Sequence, residues 1–200
     1  MCGRFATGLI AGDAGVIDWL GIDAAAAPPS WAGELATEAT PSGPWPRPSW
    51  NVAPTQEAAI VVPGAEGAPR QVAAARWGLI PRWWRKPLAE MKASTFNARS
   101  EEAATKPMFR DAWRHGRCLV PALGYYEWSG KGSAKRPWFV TARTNRPGIA
   151  FAGLWTRAQV EGETIESFTI LTCAAGKATR HLHPRSPVVL EEGAFADWLA

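Results

Sequence analysis

Residues 117–143 read "RCLVPALGYYEWSGKGSAKRPWFVTAR". Two short runs rich in aliphatic and aromatic residues, "RCLVPA" (117–122) and "YYEW" (125–128), follow each other closely. The Gly-, Ser- and Lys-rich "SGKGSAKRP" (129–137) then leads into "PWFVTAR" (137–143). Short β-branched and aromatic runs between turn residues predict strands, and the glycine-rich segment predicts a hairpin loop. The same pattern extends in both directions: "AAIVV" (58–62) and "RQVAAARWGLI" (70–80) before it, "IAFAGLW" (149–155) and "SFTILTCA" (167–174) after it. Helical signals are fewer. "TGLIAGDAGVIDWL" (7–20) has an amphipathic spacing, and "EEGAFADWLA" closes the chain as a final helix. "SEEAATKPMFRDAWRH" (100–115) offers Ser100 as a cap and acidic residues in its first turn, with Pro107 placed to kink or split it. Residues 24–49 are too rich in proline for helix or central strand and read as a loop. Many strands and few helices, without βαβ alternation, predict an α+β domain dominated by antiparallel sheet. Neither an internal repeat nor a second domain is visible.

The 200 residues suffice for one domain with a sizeable core, and 46% hydrophobic with 20% charged is an ordinary globular composition. A formal net charge of +4 and a sequence pI near 9.2 suit a polyanionic partner. The 12 Trp serve a core well, but indole faces also stack on unpaired bases. Cys2, Cys118 and Cys173 are odd in number and widely spaced, against both a disulfide framework and a cysteine-rich zinc site. The first residues lack a basic segment followed by an apolar run, and no stretch approaches a membrane span. A cytoplasmic protein, monomeric and without cofactor or metal, is expected.

"MCGRF" (1–5) places a cysteine directly behind the initiator methionine. Removal of Met1 leaves Cys2 with a thiol and a free α-amine on adjacent carbons. Such a β-amino thiol condenses with an aldehyde to a thiazolidine; alternatively its thiolate attacks an amide, as in N-terminal nucleophile hydrolases. The stretch by itself leaves both enzyme classes open. Arg4 beside it can bind phosphate or lower the thiol pKa. "STFNARSEEAAT" (94–105) sets Asn97, Arg99 and Glu101 between a strand and a helix: Asn97 as a neutral donor and acceptor, Arg99 as a phosphate clamp or a plain surface residue. Glu127 lies in an aromatic run, either facing outward on an alternating strand or partly buried, where burial raises a carboxyl pKa toward the range useful for proton transfer. "HLHPRSPVVL" (181–190) offers His183 as a general acid or base and Arg185 beside it, while His181 and His183 lack a third ligand set for a metal. "PRWWRKP" (81–87) is either a core Trp pair or an exposed wedge, Trp83 and Trp84, among Arg82, Arg85 and Lys86.

Taken together, these stretches resemble the SRAP family, the SOS-response-associated peptidase domain. The matches run in order: "MCGRF" (1–5), "WNVAPTQ" (50–56), "WGLIPRWW" (77–84), "FNARSE" (96–101), "RCLVPALGYYEW" (117–128), "AGLW" (152–155), "FTILT" (168–172) and "HPRSP" (183–187). The resemblance implies a barrel-like, predominantly antiparallel fold and covalent capture of abasic sites in single-stranded DNA, with the protein on the nucleoid when bound to DNA. By position, Cys2 is then the crosslinking nucleophile, Asn97 holds the ring-opened sugar or the adduct, and Glu127 and His183 move protons. Arg4, Arg99 and Arg185 hold phosphates, while Asn51, Pro54, Trp83, Trp84 and Thr172 line the DNA groove or its wedge. Self-removal of Met1 is compatible with this. Trp50 stands where the family usually has Tyr, and Ser186 where Met is frequent. Family members generally continue past "FADWL", so a shortened member or incomplete gene product is expected. The competing readings are an N-terminal-cysteine glutamine amidotransferase, a cysteine peptidase acting in trans, and a non-catalytic single-strand-binding module in which Cys2 is dispensable.

Overall fold

A computed structural model describes residues 2–7, 14–22, 49–130, 132–142 and 146–200. The loop expected over 24–49 lies outside the described residues apart from Ser49, as do Met1 and residues 8–13 of the first expected helix.

Five strands close a barrel: β2 (Glu57–Val62), β3 (Gln71–Trp77), β5 (Arg117–Ala122), β8 (Ile149–Val160) and β9 (Glu163–Ala174). The pairs β3–β2, β2–β5, β5–β8 and β8–β9 are antiparallel, and the ring closes through a parallel contact of β3 with β9 at Arg76↔Ser167 and Trp77↔Phe168. Alternate residues of the staves point inward to one apolar cluster that includes Ile60, Trp77, Val120, Phe151, Phe168 and Ile170. The opposite faces are covered by α1 (Ala14–Leu20) and α4 (Phe195–Leu199) through Trp19, Leu20 and Phe195, and by α3 (Arg110–His115) through Ala112. Strands covered on both sides read as near-continuous apolar runs, which accounts for "IAFAGL", six buried residues in succession. Gly153 is required inside the barrel. A Cβ there would lie 2.8 Å from both the Cys118 sulfur and a Val120 methyl.

The expected strands are all present, but β8 and β9 are 12 residues each, longer than the apolar runs that marked them. Their outer halves alternate polar and apolar residues around a two-residue turn, Glu161–Gly162, with φ of 51° and 87°. Both residues have the positive φ of a type I′ hairpin, whose twist suits the strands it joins. Pro107 does split the expected helix, into α2 (Ser100–Ala103) and α3. Ser100 is the first helical residue rather than the cap; Arg99 holds the cap position without a capping side-chain bond.

β9 outruns the barrel. Its first half pairs with β8 along one edge and touches β3 along the other; beyond Ile170 those partners are replaced by β10 (Arg185–Pro187) and β4 (Asn97–Arg99). Asn97–Arg99 is thus a strand, parallel to β9, and not the connector expected before the helix. A second sheet, β1 (Phe5–Ala6), β6 (Gly124–Ser129) and β7 (Arg136–Val140), packs against the barrel interior through Phe5 and Tyr125. β11 (Val189–Leu190) pairs with the start of β8. Among the described residues no helix is long and apolar enough to cross a membrane.

Candidate active site

The N-terminal segment is fixed by Phe5. Its ring is fully buried, 4.8 Å from Trp77 and 6.2 Å from Phe151, both edge-on. Its backbone exchanges hydrogen bonds with Val52 at 3.3 and 2.8 Å on one side, and its Cα pairs with Tyr125 on the other. A large ring in the barrel interior, bonded along both edges of its strand, leaves the three residues before it little freedom. Cys2 is consequently buried at a defined place, its thiol 3.7 Å from the Arg4 carbonyl.

Asn97 reaches Cys2 from the end of β9's other partner strand. Its Nδ2 donates to the Cys2 carbonyl at 2.6 Å, so the amide oxygen points away, and Oδ1 is buried without a hydrogen-bond partner among the described residues. That leaves one buried acceptor open on the residue that is bonded to Cys2.

β6 brings the carboxylate. Its side chains alternate Tyr125 buried, Tyr126 half-buried, Glu127 buried and Trp128 exposed. The usual placement is inverted: the charge faces in at 4% exposure while the indole faces water. Burial pushes the Cys2 thiol well above its ordinary value, and the negative charge of nearby Glu127 pushes it further. The same surroundings push the Tyr125 phenol up to about 12, burial first and the charge of Glu127 adding to it, against a hydrogen bond with Thr179. Cys2, Glu127 and Tyr125 thus form one electrostatic unit in which the resting thiol keeps its proton.

His183 and Arg185 sit where β10 joins β9. The His183 Nδ1 is 3.0 Å from both the backbone N–H and the carbonyl oxygen of Arg185; it accepts from the first when its proton is on Nε2 alone and donates to the second when Nδ1 carries a proton. The Arg185 guanidinium donates to both oxygens of Glu101, at 3.2 and 2.8 Å, and through Nε to the Thr172 hydroxyl at 3.2 Å. Arg185 holds the Glu101 carboxyl down at about 2, mainly through these bonds. Thr172 is fully buried, and its hydroxyl accepts the Arg185 Nε bond.

Arg4 donates to the Asn51 side-chain oxygen at 2.7 Å, which joins the two segments bonded to each other through Phe5 and Val52. Arg99 is exposed and paired with Glu102 at 3.3 Å. Pro54 lines a cavity with Thr55, Trp77 and Phe96, and Thr55 has a φ of 77°, an unusual conformation for a β-branched residue. The tryptophan pair divides. Trp83 is 53% exposed, with Nε1 on the Pro107 carbonyl, whereas Trp84 packs against the buried cluster of Ile80, Ala158 and Val160. Sequence reasoning missed Tyr125 and Thr179. The alternation that buries Glu127 also buries Tyr125, and that signal was available in "YYEW".

A model of the family described as SOS response associated peptidase (SRAP) matches residues 1–200. The chain belongs to the SRAP family. It is 37% identical over 123 residues to the Escherichia coli protein named abasic site processing protein YedK, covering 62% of this chain and 52% of that one. With abasic site processing protein YoaM of Bacillus subtilis it shares 31% over 201 residues, all of this chain and 79% of the relative. The Xenopus tropicalis protein named abasic site processing protein HMCES is 29% identical over 180 residues, covering 76% of this chain and 54% of its own length. The fold agrees: a crystal structure of a Bordetella bronchiseptica protein superposes with a TM-score of 0.77 at 29% identity, over 100% of this chain and 88% of that one. The SRAP chain described here thus spans about half the length of some of its curated relatives.

Proposed function

We propose that this SRAP protein processes abasic sites by capturing them covalently through Cys2 while holding the surrounding DNA as a single strand. The observation that carries the reading is the convergence on Cys2 of Asn97, bonded to its carbonyl at 2.6 Å, and the buried carboxylate of Glu127. Relatives named abasic site processing proteins support the substrate class.

An abasic sugar is in equilibrium with a ring-opened aldehyde. With Met1 removed, the Cys2 amine adds to the aldehyde carbon and expels water, giving an imine. The Cys2 sulfur then adds to the imine carbon, and the thiol proton ends on the nitrogen. The sum is aldehyde plus amino thiol to thiazolidine plus one water. Because the thiol is held protonated by burial, a base must take that proton as the C–S bond forms. Glu127 serves as that base and delivers the proton to the nitrogen, while His183 moves the proton that opens the sugar ring and assists reversal. The open Oδ1 of Asn97 accepts from the sugar hydroxyl or the nitrogen. Arg185, pre-oriented by Thr172 and Glu101, holds a phosphate with Arg4 and Arg99, and exposed Trp83 stacks on a base. Asn51 and Pro54 shape the groove, and Trp84 supports Trp83 from the core side. The closed ring shields the lesion from strand cleavage by β-elimination.

Incubation with single-stranded DNA carrying one abasic site, read on a denaturing gel, tests this. The parent is expected to give a shifted covalent band, with Cys2→Ala and Cys2→Ser giving none and undamaged DNA giving none with any of them. A band of parent intensity in Cys2→Ala overturns the assignment.

A further inference from the structure

The register of β6 with β7 carries information that the capture centre does not use. Glu127 pairs with Trp138 and Ser129 with Arg136. Directly opposed residues in an antiparallel pair share a face, with Cβ atoms about 5 Å apart. One face of the hairpin therefore leads from buried Glu127 to Trp138 and then, one two-residue step of about 7 Å along the strand, to Arg136.

Trp138 is 49% exposed, as open as Trp83, yet it is held. Its Nε1 donates to the Ser129 hydroxyl at 2.8 Å. Its ring also meets His181 at 6.5 Å between centroids with the planes 84° apart. Near-perpendicular rings touch edge to face, so at least one indole face stays open. An exposed aromatic ring locked in one orientation loses little freedom when something stacks on it. The cations on the segments it joins, Lys135 and Arg136 on one and Lys177 and Arg180 on the other, are all exposed, in a chain of net charge +4. An aromatic platform among cations fits a nucleobase with its phosphate.

We infer that Trp138 is a second base platform: it stacks on the nucleobase adjacent to the captured abasic site, and Arg136 takes the phosphate of that nucleotide. This rests on the proposal that the neighbouring centre handles abasic single-stranded DNA. Trp138 lies beside Glu127 itself, so its base is the lesion's immediate neighbour. It is a binding residue separate from the Trp83 segment.

The test uses fluorescent single-stranded DNA containing a tetrahydrofuran abasic analogue, which lacks the aldehyde and binds without crosslinking. Trp138→Ala is expected to weaken binding about 5- to 100-fold, the range for loss of one base-stacking ring, and Trp138→Phe to restore most of it. Arg136→Gln is expected to reduce the slope of log affinity against log salt by roughly one phosphate contact. Replacing the neighbouring nucleotide on one side of the analogue with a second abasic analogue is expected to weaken the parent but not Trp138→Ala. A melting temperature of Trp138→Ala equal to the parent's excludes misfolding as the cause. Parent-like binding by Trp138→Ala overturns the inference, as does a loss that is the same whichever neighbouring base is removed. The two proposals fail separately: a parent that crosslinks abasic DNA while Trp138→Ala binds normally removes only the platform. A parent that never crosslinks, with binding still dependent on Trp138, removes only the capture.

Discussion

The barrel and the β6–β7 hairpin are both rich in aromatic residues but place them oppositely. In the barrel Trp77, Phe151 and Phe168 are fully buried, and Gly153 makes room for the Cys118 sulfur and Val120. In the hairpin four of the five residues of β7 are exposed; Trp128 and Phe139 face water, and Trp138 is exposed on the same face that carries buried Glu127. A dense apolar barrel supplies positions that do not move. The small sheet laid against it can then carry a buried carboxylate, a cost that the barrel's packing offsets. The link between the two is Phe5, on the strand of the small sheet with its ring in the barrel cluster. The dense core and the buried carboxylate are thus divided between two sheets, with Cys2 tied to both.

The strongest way to break this division is Phe5→Ala. Removing a fully buried ring costs about 3–5 kcal/mol, which for a chain of this size lowers the melting temperature by roughly 6–20 °C. Capture should fall with it even at temperatures where the variant is folded, because Cys2 loses its anchor. Phe139→Ala, on the open face of the hairpin, should cost only about 1 kcal/mol and leave capture intact. Calorimetry with single-turnover crosslinking on both variants checks the contrast, and equal destabilisation by the two would remove it.

Glu127→Gln sharpens the comparison from the other side. The amide keeps the shape and removes the charge, so the fold should be as stable as the parent's while the crosslinking rate drops about 10²- to 10⁴-fold, the worth of a positioned proton-transfer group. The smaller effect is on the thiol. Burial and the Glu127 charge both raise its pKa above the ordinary 9.0, so the folded protein keeps a proton that the unfolded chain releases above that pH. The associated stability is complete below pH 9.0 and declines as pH rises past it. Alkylation of Cys2 mapped by mass spectrometry should accelerate with pH without levelling off below 9.0 in the parent, with the curve displaced to lower pH in Glu127→Gln. An unshifted curve would mean that the carboxylate does not act on the thiol.

Much of this was legible in the sequence for definite reasons. The barrel staves are continuous apolar runs, because strands covered on both faces need no polar alternation, and Pro107 had to interrupt its helix. The aromatic neighbours of Glu127 leave it either inside or facing outward on an alternating strand, and the packing of β6 turns it in. Other features depend on pairings that local patterns do not encode. "NAR" is too short to read as a strand, and it becomes one only because β9 outruns the barrel and offers an open edge. The polar halves of β8 and β9 carry too little apolar residue content to announce strands, and it is the Glu161–Gly162 turn that extends them. Trp138 is one of 12 tryptophans, and only the pairing of β6 with β7 shows it to lie opposite Glu127.

The most direct measurement of the central claim is the mass of the adduct. Crosslinked protein is digested, and the DNA-bound N-terminal peptide is analysed before and after treatment with borohydride. The account predicts a peptide beginning at Cys2, with Met1 absent, whose mass is that of peptide plus abasic DNA less one water, unchanged by borohydride because the ring is closed. An adduct that retains Met1, or one that gains two hydrogens on reduction as an imine does, would contradict capture by the joined amine and thiol of Cys2.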